Sequence, residues 1–74
     1  MAETAVAYGE IQNMIAEYGV LDMGETWFAE NGFTHCVMIL GDGQYDADFF
    51  KSAADACREA KLLAAHLNVA RWAA

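Results

Sequence analysis

Three groupings in this chain hold residue types that can do chemistry. His35 and Cys36 are adjacent, a base beside a nucleophile. Asp42, Asp46 and Asp48 crowd the stretch that follows, with Asp42 inside a Gly-Asp-Gly triplet. Cys57 and His66 add two more side chains of metal-ligating type. A Cys–His pair needs both groups to converge on one reacting atom, but neighbours along a strand point to opposite faces. Cys36 is therefore expected in the core near Cys57, and His35 on the other side. A zinc site from Cys36, Cys57, His35 and His66 lacks a short ligand pair and meets the same geometric objection. In a calcium-loop frame, Asp42, Gln44 and Asp46 fill the first positions. Ala47 then stands where the sharp-turn glycine belongs and Ala53 where the bidentate glutamate belongs. The Gly-Asp-Gly triplet has no following Lys-Ser or Lys-Thr, so it is no phosphate loop. Ser52 has no base partner and reads better as a helix cap. No enzyme is expected, and no metal or cofactor.

The elements that must position these residues come from periodicity. Tyr8, Ile11, Ile15 and Tyr18, with Ala7 and Met14 beside them, have 3–4 spacing and predict a helix over 3–18 capped by Gly19. Glu3, Glu10 and Glu17 would form a stripe along that helix. Asn31-Gly32 and Asp42-Gly43 suit two-residue hairpin turns, which predicts strands at 25–30, 33–40 and 44–50. Pairing across the second turn sets Tyr45 opposite Leu40, Ala47 opposite Met38 and Phe49 opposite Cys36; pairing across the first sets Trp27 opposite Cys36. Both registers gather one apolar face. The rival, a short helix over 24–30 ended by Asn31-Gly32, does not gather that face and is set aside. Ser52 and Asp55 form a capping box, and Ala53, Ala56, Ala60, Leu63 and Leu67 continue at 3–4 spacing, which predicts a helix over 53–67. "NVARWAA" continues or frays, and Trp72 has no assigned role.

The expected fold is thus α+β: a two-layer α-β-β-β-α sandwich, a three-stranded antiparallel meander with both helices on one face. It forms a single domain over 1–74. This order resembles the double-stranded-RNA-binding domain, and "SAADACREAKLLAA" is similar to that family's second helix at Ser52, Ala56 and Ala60. The family's phosphate-contacting lysines fall on Ala53, Ala54 and Cys57, so the resemblance implies architecture and transfers no RNA binding.

The chain has 74 residues and a net charge of −7. Residues 1–50 contain nine acids and no Lys or Arg; all four bases, Lys51, Arg58, Lys61 and Arg71, come later. Such a field repels nucleic acid directly and favours basic partners. No run is long enough to span a membrane, and "MAETAVAYGE" is acidic where a signal peptide is basic, so a cytoplasmic protein without a membrane partner is expected. Two cysteines are too few for a disulfide framework, and both are expected buried and reduced.

On the meander, the outer sheet face collects Phe28, Phe33, Val37, Ile39 and Phe50 among Glu30, His35, Asp46 and Asp48. With both helices on the other face, this patch is expected to stand exposed as a protein-binding surface with an apolar centre and an acidic rim. The function expected is a small acidic inhibitor or adaptor that docks on a basic, nucleic-acid-binding protein surface and mimics nucleic acid there. Small phage-encoded inhibitors, anti-CRISPR proteins among them, are similar in size and charge. A homodimer or other homo-oligomer through the same face is the first alternative. A metal- or small-molecule-binding module using Asp42, Asp46, Asp48 and His35 is the second.

Overall fold

Alanine-rich sequence with buried neighbours on both sides forms the centre of the sheet. The computed structural model describes residues 4–19, 24–41, 44–67 and 71–72. Its first element, β1 (Ala5–Glu10), is a strand where a helix over 3–18 was expected; only α1 (Ile11–Tyr18) of that span is helical, and residue 3 lies outside the described residues. Val6 and Ala7 point to opposite faces and both are fully buried. A strand covered on both faces loses the polar alternation that marks a one-sided strand, and its alanines fit a helical pattern equally well. The glutamate stripe dissolves with the long helix: Glu10 ends β1, Glu17 is on α1, and Glu3 is not described. Gly19 does end α1, in the left-handed region at φ 62°, with its N–H donating to the Ile15 carbonyl at 2.7 Å.

The second departure is α2 (Glu25–Glu30), a short helix in place of the strand expected at 25–30. Asn31-Gly32 closes it as a helix end and not as a hairpin turn. Gly32 sits at φ 78°; its N–H reaches the Ala29 carbonyl at 3.1 Å, and the Phe33 N–H reaches the Phe28 carbonyl at 2.9 Å. This crossed pair is the Schellman arrangement, and the apolar contact that accompanies it is the stack of Phe33 on Trp27, centroids 5.9 Å apart. The Asn31 side-chain amide adds a bond to the Trp27 carbonyl at 2.8 Å.

The β2–β3 register and α3 follow expectation, whereas the C-terminal segment, expected to continue the helix or fray, supplies a short strand. β2 (His35–Gly41) and β3 (Gln44–Phe50) pair antiparallel with Leu40 opposite Tyr45, Met38 opposite Ala47 and Cys36 opposite Phe49. The residues of the Asp42-Gly43 turn lie outside those described. α3 (Ala53–Leu67) starts at Ser52, whose Oγ accepts from the Asp55 N–H at 3.2 Å. β4 (Arg71–Trp72) runs parallel to β1, so the backbone at Trp72 joins the sheet. The strand order is β3-β2-β1-β4, with β1, β2 and β3 mutually antiparallel where they pair.

The chain is therefore an α+β protein around an antiparallel sheet of three main strands, but the order is not α-β-β-β-α. The likeness of element order to double-stranded-RNA-binding domains goes with it. The helices divide between the faces. Ile11 and Met14 of α1 and Phe28 of α2 pack with Ala7, Cys36 and Met38. Ala56 and Ala60 of α3 pack with Val6 and Val37 on the opposite face. Alanines at those two contacts carry no bulk beyond Cβ, so the helix backbone can approach the strands closely.

Candidate protein-binding surface

The face expected to stand open is largely covered. Val37, at its centre, is 2% exposed beneath Ala56 and Ala60 of α3, and Phe50 is half-buried against the same cluster. Phe28 is 2% exposed and belongs to the other face altogether, because α2 carries it over Cys36 and Met38. Phe33 also packs there, half-buried. Ile39 and His35 are half-buried, while Glu30, Asp46 and Asp48 are exposed. The physical cause is α3: placed opposite α1 and α2, it covers what two helices on one face would have left bare. The contiguous apolar patch does not exist; its acids do.

Three of the expected residues meet at a different place. Phe28, Phe33 and His35 line a cavity of about 380 Å³ together with Glu10, Gln12 and Thr34. The cavity forms where β1 passes into α1 and where the chain enters β2. Glu10 does not cap α1 with its side chain; the Ile11 N–H donates instead to the Thr34 carbonyl at 3.0 Å, which satisfies one of the helix's orphan donors. Glu10 and His35 are direct cross-strand partners. The Thr34 hydroxyl and His35 Nδ1 lie 2.8 Å apart in a hydrogen bond.

Beside this cavity lies a group that the sequence pattern missed. Trp27 is 40% exposed, yet its ring is held on three sides: stacked on Phe33, and edge-on to Phe28 at 5.2 Å and to Phe49 at 6.0 Å. Phe28 and Phe49 meet edge-to-face at 4.8 Å beneath it. The available signal was Asn31-Gly32 read as a helix end, which places Trp27 one turn back, over Phe33.

The titratable groups fall into two environments. Cys36, fully buried, has its thiol pushed up to about 11 by desolvation. Both cysteines are free, but Cys57 is half-buried on α3 and not buried as expected. It lies in the layer across the sheet from Cys36 and hydrogen-bonds the Tyr8 hydroxyl, whose pKa that bond raises above 10.0. His35 and Cys36 point to opposite faces, so they form no nucleophilic pair. Among the described residues no three His, Cys, Asp or Glu side chains gather as a metal site; Asp42, part of the calcium-loop reading, is not described. No described helix is long and apolar enough to cross a membrane.

Bases occur only from Lys51 onward, and α3 mixes both signs. Lys51, Arg58 and Lys61 are exposed at the end of β3 and along α3, where Arg58 pairs with Asp55 at 3.1 Å. Glu10, Glu17, Glu30, Asp46 and Asp48 are exposed on the elements before them. Comparison of the chain with protein-family models, curated proteins and solved structures finds no match.

Proposed function

We propose that the chain is a small acidic, non-enzymatic protein-binding domain, an inhibitor or adaptor that docks on the basic surface of a nucleic-acid-binding protein. The observation that carries this reading is Trp27. A large ring held partly in solvent by Phe28, Phe33 and Phe49 loses little conformational freedom on binding, and tryptophans of this kind dominate interface energetics. Glu30 is exposed on the same helix, and Asp46 and Asp48 extend the acidic surface along the strand that carries Phe49, on its opposite face, while Lys51 lies near Gly32 at the helix end. Residues 1–50 hold no Lys or Arg to oppose a cationic partner. The acids would speed encounter and set orientation, while the ring supplies the desolvated centre. The centre thus moves from the expected Phe28, Phe33, Val37, Ile39 and Phe50 face to Trp27, with Glu30 beside it and Asp46 and Asp48 across the β3 edge.

The test is capture of partners on the immobilised chain, run in parallel with Trp27→Ala. The reading expects a basic protein retained by the native chain, released by salt, displaced by DNA or RNA, and lost with Trp27→Ala while that variant keeps its native circular dichroism. Retention unchanged by Trp27→Ala would overturn it. Sizing by light scattering at low and high salt addresses self-association: a salt-independent dimer that dissociates in Trp27→Ala would assign the ring to a homodimer instead.

A further inference from the structure

β3 ends the sheet, and its outer side meets no strand among the described residues; at the other end β4 pairs β1 at Ala5 and Val6. An edge of this kind presents alternate backbone N–H and C=O groups to whatever can pair with them. We propose that this edge takes an extended basic segment of the partner protein as an added strand, which rests on the docking reading above and names its mode.

The side chains specify the occupant. Along β3 the residues alternate: Tyr45, Ala47 and Phe49 lie half-buried toward the α1–α2 layer, while Asp46 and Asp48 are exposed on the other face. Side chains directly opposite across paired strands have Cβ atoms roughly 4.5–5.5 Å apart. An added strand with Lys or Arg two residues apart would therefore set each cation beside one aspartate. Its intervening residues would fall beside Tyr45, Ala47 and Phe49 and favour apolar groups. The edge runs into the exposed ring, since Phe49 touches Trp27, so added strand and anchor form one continuous surface. A second copy of this chain fits poorly. An antiparallel pair centred on Ala47 would set Asp46 of one copy against Asp48 of the other, twice over, and like charges directly opposite are destabilising.

The experiment uses the full chain and a short blocked peptide alternating lysine and valine, with an analogue N-methylated at the amides on one edge. Binding is read by titration and by hydrogen exchange of the β3 amides. The native peptide is expected to slow exchange along β3 and to bind about tenfold or more tighter than the methylated one, since each lost strand bond weakens pairing. Asp46→Asn with Asp48→Asn should also weaken it, and both sites are exposed, so folding is retained. Equal affinity for the two peptides, unchanged β3 exchange, or full binding by the double variant would each overturn strand addition. So would a dimer of the free chain whose β3 amides are already protected. If the peptide fails while a basic protein is still captured through Trp27, the docking reading stands and only this mode falls.

Discussion

The two faces of the sheet are built from different materials. On one, α3 lies on Val6 and Val37 through alanines, with Leu63, Ala64, Tyr8 and Phe50 at the margin. On the other, α1 and α2 reach the sheet through Met14, Ile11 and a group of rings that comes to the surface at Trp27. The first face is closed beneath α3 by small side chains, with Leu62 exposed on the helix and Asp46 and Asp48 at the β3 margin. The second is filled by bulk, and bulk that outgrows its layer leaves a rigid aromatic edge in solvent. The aromatic anchor is thus confined to one face, and substitutions that disturb it should be separable from those beneath α3.

The largest expected effect is Phe28→Ala. The ring is buried among Trp27, Phe49 and the sheet, and its loss leaves a cavity, so chemical denaturation should show about 3–5 kcal/mol of destabilisation. Had Phe28 stood on an open face, the cost would be small; a loss under about 1 kcal/mol would contradict the packing of α2.

Next comes Cys36 at alkaline pH. Its folded thiol titrates near 11 against 9.0 for an ordinary one, so the unfolded chain releases its proton first. The stabilisation this provides is fully present below pH 9.0 and is lost as pH rises toward 11, on the order of 3 kcal/mol in all. Tyr8, raised in the same direction by its bond to Cys57, adds to the same slope from the opposite face. Denaturation midpoints across this range, for the native chain and Cys36→Ala, separate the two: Cys36→Ala should flatten most of the slope. An unchanged slope would place the effect elsewhere.

Gly32→Ala tests the turn that separates the expected fold from the observed one. At φ 78° a Cβ costs about 1–2 kcal/mol, although space for it exists: its nearest neighbour is the end of the Lys51 side chain at 3.9 Å. Because Gly32 fixes the angle between α2 and Phe33, the Trp27 fluorescence should shift as well. Destabilisation with unaltered Trp27 emission would mean that the helix end does not position the ring.

What was legible follows from how many partners each element needs. α3 could be placed to the residue because its cap and its apolar stripe are both local, Ser52 to Asp55 and Ala56 to Leu63. The β2–β3 register was legible because only one alternation of Cys36, Met38 and Leu40 matches Tyr45, Ala47 and Phe49. β1 was not. Its coverage on both faces erased the period, and the remaining local clue was Gly9, a residue that costs a helix interior about 1 kcal/mol. Asn31-Gly32 misled for a chemical reason: left-handed backbone at glycine closes a hairpin and a helix alike. The face assignment of Phe28, Phe33 and Val37 failed as a consequence of those two elements, whereas Glu30, Asp46 and Asp48 stayed exposed on either fold.

The smallest expected effect tests the closed face. Ser52→Ala removes the acceptor for the Asp55 N–H and should cost about 1 kcal/mol, the usual size of a lost N-cap. Asp55 precedes Ala56, the first buried contact of α3 with Val37. Fraying should therefore reach that contact, and hydrogen exchange should quicken in the first turn of α3. The sheet stands between this turn and the aromatic group, so Trp27 emission should not change. That silence distinguishes Ser52→Ala from Gly32→Ala, two variants of similar cost on opposite faces. If Ser52→Ala also moves Trp27 emission, the two layers respond as one, and the separation of the aromatic anchor from the α3 face fails.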